Sequence, residues 1–450
     1  MICKDFVNFF QNLSWLAVVA RSENISTLPL SIVIMTLVQC KNLSSGGKQF
    51  MTSRNNLVIG QSGGATAVIN ASLVGAVEHA MQDARIDGIF GMRHGIEGLL
   101  REELLDLRKQ PANLWPRLLV TPSAALGSCR YKLQEEDPQR VIDILRRYDI
   151  HCLLYIGGND SADTTHRLAQ AAQHAAYDLR AISVPKTIDN DLPYTDHCPG
   201  YGSAARFMAL ATMDSTMNTK SIPWHYPVKV IETMGRDAGW LTASSALGKR
   251  DEDDAPHILL LPEQPFNELR FLRQVEEVYR RVGYVIIVTA ETIRDERGQQ
   301  LGAAGQVGLD AFQHPLLSGA AQQLVELVKR ELKLRARFDK SGDLQRMASN
   351  SVSSTDRNEA YLVGKMGVEA LLAGEHDKMV TLVRHSEPIY HCSTGLANLS
   401  EVANVQRLLP GDYLDASKTM VTQAFYEYAL PLIGEPLPVY AKLQQIRIGQ

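Results

Sequence analysis

An α/β fold with mainly parallel sheets is predicted from three observations. Short, nearly continuous apolar runs recur along the chain, helical patterns separate most of them, and loops bearing glycine or aspartate follow them. Strands apolar on both sides and separated by helices suit a parallel sheet covered on both faces. The 450 residues, 45% hydrophobic and 21% charged, suffice for a large core in two or more lobes.

Residues 1–52 hold two apolar stretches, LSWLAVVA and LPLSIVIMTLVQC, each shorter than the ~20 residues of a membrane helix. Lys4 precedes the first, as in a signal peptide, but the charge is weak and no small-residue cleavage site follows. Met51 opens MTSRNNLVIGQSGG as the start of a domain would. Residues 1–52 are therefore expected to be an N-terminal extension outside the fold, with the domain at 53–450.

NLVIG begins the alternation and leads into TAVINASLVGAVEHAMQ, where Ile69, Leu73, Val77 and Ala80 share one helical face. HCLLYIGG, RAISVP, VKVIETMG, HILLLPE and GYVIIVTAE read as later strands. Helices are expected at about 161–176, 238–247, 267–281 and 316–334. The KRDEDD run (249–254) reads as a solvated loop.

The net charge of −4 provides no broad basic field for nucleic acid, so anionic substrates would depend on a few local Lys and Arg. Six cysteines lack CxxC or metal-ligand spacing, as reduced thiols of a cytoplasmic protein would, and twelve histidines form no HExxH-type cluster.

Ligands of such sheets bind beyond the C-terminal ends of strands. Four loops fall there: GQSGG (60–64), IGGNDS (156–161), PKTIDND (185–191) and ETMGRDAG (232–239). Gly63 and Gly64 could let backbone N–H groups meet a phosphate, though alone they equally fit a tight turn. No Walker A sequence occurs. PKTIDND offers a cation to offset phosphoryl charge and carboxylates to take a hydroxyl proton; alone it also fits a turn with a structural ion pair. Arg236 could grip a phosphate with two parallel hydrogen bonds, or be a solvated arginine at a helix start.

From about residue 54 onward, these motifs in this order resemble the phosphofructokinase family. GQSGGATAVIN is similar to its first glycine loop, GSCR to its nucleotide-side arginine segment and GGNDS to its GGDGS loop. TIDND is similar to its catalytic loop, MGR to its sugar-phosphate loop, and VTAE and SGDLQR to further substrate segments. The resemblance implies two Rossmann-like lobes with a cleft between them, about 53–203 with 345–415 and about 204–344 with 416–450. It implies Asp189 as the base on the 1-hydroxyl of fructose 6-phosphate. Thr187, Ile188, Met234, Gly235, Arg236, Glu291, Arg337 and Arg346 would contact the sugar phosphate. Gly63, Gly64 and Arg130 would lie at the phosphoryl donor. Mg²⁺ is the expected cofactor, placed at Asn159 with Asp191 as a second carboxylate nearby, and a cytoplasmic homo-oligomer (dimer or tetramer) is expected.

ATP-using members typically carry glycine at the positions of Asp160 and Lys186, whereas pyrophosphate-using members resemble this chain at both. A carboxylate at Asp160 would face a nucleotide's α-phosphate. Two unit charges ~4 Å apart repel by roughly 4 kcal/mol at an effective dielectric of about 20, about a thousandfold in affinity. Pyrophosphate has no α-phosphate, and Lys186 could stabilise the transferring phosphoryl. Asp160 also suits a helix N-cap, which is compatible with that filter. The reading is reversible, Mg²⁺-dependent transfer from pyrophosphate to fructose 6-phosphate. The alternatives are an ATP-dependent kinase, a pyrophosphate enzyme acting on sedoheptulose 7-phosphate, and a non-catalytic regulatory subunit.

Three positions depart from the family's commonest pattern. Asn159 replaces an aspartate and brings no charge; Asp343 stands where His or Tyr is usual; Pro227 falls where many members have an arginine, a role Lys229 or another subunit could fill.

Overall fold

Alternation along the apolar runs decides which way each side chain points. In the run Leu57-Val58-Ile59, Leu57 and Ile59 join one buried cluster and Val58 another. Leu154 and Ile156 likewise separate from Leu153 and Tyr155. Both faces of the strand are dry, so no polar residue interrupts it.

The computed structural model describes residues 55–301, 308–309, 315–316, 319–387 and 389–443. The expectation for residues 1–52 lies outside these. In chain order the first elements are β1 (Asn55–Gln61), α1 (Ile69–Gln82), β2 (Ile86–Met92), β3 (Leu104–Asp106), α2 (Asp137–Arg147), β4 (Ile150–Gly157), α3 (Asn159–His174) and β5 (Arg180–Pro185). Next come α4 (Tyr201–Ser221), β6 (Val228–Thr233), β7 (Ile258–Leu260), α5 (Glu268–Val282), β8 (Val285–Ala290), β9 (Gly308–Leu309) and β10 (Pro315–Leu316). The last are α6 (Ala320–Leu332), β11 (Ala336–Lys340), α7 (Ser354–Leu372), β12 (Lys378–Arg384) and β13 (Cys392–Asn398).

A seven-stranded sheet has the order β13-β12-β5-β4-β1-β2-β3, and a four-stranded one the order β11-β6-β8-β7. Every pairing in both is parallel except the two outermost of the larger sheet, β12 with β13 and β2 with β3. The α/β class expected from the sequence is what the structure shows. The expected helix at 161–176 runs Asn159–His174. That expected at 238–247 is a short helix, Trp240–Ser244, continued by a 3-10 turn.

Helices α1 and α7 cover one face of the larger sheet and cross at very short range. A Cβ on Gly364 would lie 1.9 Å from the Ser72 carbonyl oxygen, and one on Gly75 2.1 Å from that of Tyr361. Glycine at both positions lets the two backbones touch. No helix among the described residues is long and apolar enough to cross a membrane.

Candidate active site

The loops following β1, β4 and β5 lie side by side because these strands are neighbours, and those following β6 and β8 belong to the second sheet. All five reach one cleft of about 320 Å³. Its lining includes Gly63, Gly64, Arg130, Asn159, Asp160, Lys186, Thr187, Ile188, Asp189, Asp191, Met234, Arg236, Glu291 and Arg346. The structure thus brings together nearly every residue singled out from the sequence. Gly235 sits between two lining residues, in a left-handed conformation (φ 121°).

Lys186 is only 2% exposed, and its Nζ donates to the Gly64 carbonyl oxygen at 2.8 Å. Burial pushes its pKa down to about 8; Arg346 adds to the fall, while Asp189 and Asp191 oppose it. A Cβ on Gly64 would lie 2.5 Å from Arg346 Nη1, so a side chain there would displace that guanidinium. The Gly63 N–H donates to the Cys129 carbonyl oxygen, so this donor serves the loop itself.

Two carboxylates stand beside this cation. Burial raises both Asp189 and Asp191 above the usual carboxylate range. Asp191 and Glu291 push Asp189 further up, whereas Arg236 and Lys186 pull it back. A carboxylate tuned in this way is suited to taking a proton near neutral pH. The Asp189 N–H donates to Thr187 Oγ1 at 3.1 Å. Between the carboxylates, Asn190 has φ 56° and is fully buried. Its Nδ2 donates to Tyr428 Oη at 2.8 Å, and its Oδ1 accepts from the Cys198 N–H at 2.9 Å. Behind the loop, buried His197 bridges Asp196 (Nδ1 to Oδ2, 2.8 Å) and Glu359 of α7 (Nε2 to Oε2, 2.7 Å).

Asp160 lies in the first turn of α3, while Gly158 is the N-cap and makes no side-chain cap bond. Its side chain is 50% exposed, with Lys132 Nζ 4.0 Å away. Water and Lys132 both screen it, so its repulsion of an α-phosphate falls from roughly 4 towards about 1 kcal/mol. Asn159 accepts at Oδ1 from the Asn404 N–H and donates through Nδ2 to the Val405 carbonyl oxygen, both at 2.6 Å.

On the second side, the Arg236 N–H donates to Glu291 Oε1 at 3.4 Å, and the Met234 N–H to Gln345 Oε1 at 2.9 Å. Arg346 is hydrogen-bonded to Asp343, which explains how an acid is accommodated there. Arg337 does not line the cleft: it is exposed on β11, its guanidinium 3.2 Å above the Tyr226 ring. Lys229 is paired with Asp339 at 2.8 Å. The lining also contains Tyr131, Thr164, Asp237 and Gln406, which the sequence reading did not select. Tyr131 and Asp237 adjoin selected arginines, so adjacency could have found them. Gln406 lies in no motif.

The phosphofructokinase family profile matches residues 56–371. The pyrophosphate–fructose 6-phosphate 1-phosphotransferase of Methylococcus capsulatus is 40% identical over 394 residues, covering 86% of this chain and 93% of that protein. Its namesake in Xanthomonas campestris is 38% identical over 413 residues, covering 88% and 98%. Among solved structures, the pyrophosphate-dependent phosphofructokinase of Marinobacter aquaeolei is similar with a TM-score of 0.77 at 38% identity, covering 86% of this chain and 94% of that one. A profile match over more than half of the sequence, with relatives this close along nearly their whole length, means that this chain belongs to the phosphofructokinase family.

Proposed function

We propose that the protein reversibly transfers a phosphoryl group from pyrophosphate to the 1-hydroxyl of fructose 6-phosphate, giving fructose 1,6-bisphosphate and phosphate. The names of its relatives support this acceptor and donor. The observation that carries the reading is the buried Lys186 ammonium, held at the Gly64 carbonyl in the cleft that contains Asp189. Asp189 takes the hydroxyl proton as that oxygen attacks phosphorus and the bridging P–O bond breaks. Lys186 and Arg130 offset charge on the transferring group, with Gly63 and Gly64 alongside. Thr187, Ile188, Met234, Gly235, Arg236, Glu291 and Arg346 face the sugar phosphate. Asp160 at the cleft's edge leaves a residual repulsion of about 1 kcal/mol against a nucleotide's α-phosphate, which pyrophosphate lacks.

A divalent cation fits this donor set. Mg²⁺ takes one or two carboxylates and keeps its other positions for phosphate and water rather than a cage of protein ligands. Among the described residues no cluster of three metal-ligating side chains occurs, and two part-buried carboxylates, Asp189 and Asp191, line the cleft together. Asp191 would hold Mg²⁺, together with the remaining lone pair of Asn159 Oδ1. When bound, the ion would neutralise charge on the phosphate oxygens. We also infer a cytoplasmic homo-oligomer. Supporting it are the unpaired thiols of Cys129, Cys152, Cys198 and Cys392, and the exposed Trp224 (93%) and Phe338 (43%) near Tyr226 and Arg337 in sequence. Exposed on β11, Arg337 is available to a neighbouring copy; sedimentation reads the assembly state.

The function is tested by phosphorylation of fructose 6-phosphate with Mg²⁺ and either pyrophosphate or ATP, alongside the double variant Asp160→Gly, Lys186→Gly. Turnover with pyrophosphate and its loss in the double variant are expected. Turnover with ATP alone would overturn the donor assignment.

A further inference from the structure

Four consecutive residues outside every motif, Asn404-Val405-Gln406-Arg407, join the start of α3 to the catalytic loop. Asn404 donates through its N–H to Asn159 Oδ1 at 2.6 Å and through Nδ2 to Asp163 Oδ1 at 2.8 Å, while the Val405 carbonyl accepts from Asn159 Nδ2. Gln406 Nε2 lies 3.5 Å from Asp191 Oδ2, and the Arg407 N–H donates to the Asp191 carbonyl oxygen at 2.7 Å.

The Arg407 side chain then encloses the loop from behind. Nε and Nη2 donate to the Asn190 carbonyl oxygen at 3.2 and 2.8 Å, and Nη1 donates to those of Thr195 and Asp196 at 2.8 and 2.6 Å. Its guanidinium lies 4.6 Å from the centre of the Trp240 ring, whose Nε1 donates to the Arg407 carbonyl oxygen. Trp240 opens the short helix after β6, so one side chain touches the catalytic loop and the second sheet's connection. Asn190 is the residue between Asp189 and Asp191, in a left-handed conformation (φ 56°) that asparagine tolerates, and its carbonyl is fixed by the Arg407 fork. A planar fork of five N–H donors can reach two separate turns at once, which an ammonium cannot.

We propose that Arg407 is the positioning residue of the catalytic loop, holding the Asn190 peptide so that both flanking carboxylates face the cleft. The strap 404–407 registers that loop against the start of α3. This rests on the reading of Asp189 as the base. Arg407 touches loop carbonyls and acts through them.

The test compares Arg407→Gln and Arg407→Lys with the parent protein under saturating fructose 6-phosphate, pyrophosphate and Mg²⁺, with melting curves to check folding. Misplacing a reacting group by about 1 Å costs on the order of a hundredfold in rate, so kcat should fall about that much in Arg407→Gln while both KM values stay within about threefold. Arg407→Lys, keeping the charge but not the fork, should restore less than about a tenth of the loss. Hydrogen exchange across residues 187–196 should quicken in Arg407→Gln while β4 and β5 stay protected. Unchanged kcat in folded Arg407→Gln would overturn the proposal, and so would loss of folding in both variants, which would mark a purely structural residue. If the parent protein works only with ATP, the donor assignment falls, and the same comparison is read with ATP. If it works with neither donor, loop exchange alone decides: no local quickening overturns the positioning role.

Discussion

Lys186 and Asp189 are three residues apart, and burial moves them in opposite directions, the lysine downward and the carboxyl upward. Low dielectric disfavours whichever form is charged, so one cleft yields a weaker cation and a stronger base. The lysine acts on phosphate only while protonated. With its pKa lowered to about 8, kcat/KM for pyrophosphate should fall as pH rises through that value, and Lys186→Gln should flatten this alkaline limb. A steady-state pH profile checks both. Asp189→Asn keeps the shape but accepts no proton, so kcat should drop by about 10²–10⁴-fold with sugar-phosphate KM little changed. These residues were legible because their chemistry sits within a few positions of a strand end. Arg407 was not, because its partners are carbonyl oxygens, which carry no side-chain signature, more than two hundred residues away in sequence.

Strands were legible where an apolar run unbroken by polar residues was buried on both faces. RAISVP is β5 residue for residue, and VKVIETMG holds β6, which ends two residues earlier at Thr233. KMVTLVR (β12) and CSTGLAN (β13) escaped notice because their apolar residues are interrupted by polar ones, and β13 is an edge strand left half-exposed. Helix α7 was missed for a different reason. Its small residues, Ala360, Gly364 and Gly367, form the contact surface, so a search for a large apolar face finds little. Its approach to α1 makes a sharp prediction: Gly364→Val should destabilise the protein by about 1–3 kcal/mol or prevent folding, because the new atoms meet the Ser72 carbonyl. Thermal unfolding of the variant against the parent protein measures this.

At the scale of the molecule, the cleft exists only where the ends of two sheets meet, and α7 links that meeting point to the larger sheet through Glu359 and His197. Burial lowers the His197 pKa, but Glu359 and Asp196 outweigh it and raise the value to about 9. A histidine whose pKa is raised in the folded state contributes stability that is fully present below its unfolded value near 6.5 and lost as pH rises through about 9. Denaturant unfolding should therefore show a decline between those limits, and His197→Gln should be less stable at pH 6 and show little of that slope. The larger sheet has one more consequence, in time. Its β12 pairs with β5 although Pro185 and Lys378 are 193 positions apart (378 − 185). A ribosome adding about 5–20 residues each second leaves that edge open for roughly 10–40 s. For that interval β5 presents unpaired peptide groups to its surroundings, so a nascent chain stalled before residue 378 carries an open sheet edge that invites pairing with other chains.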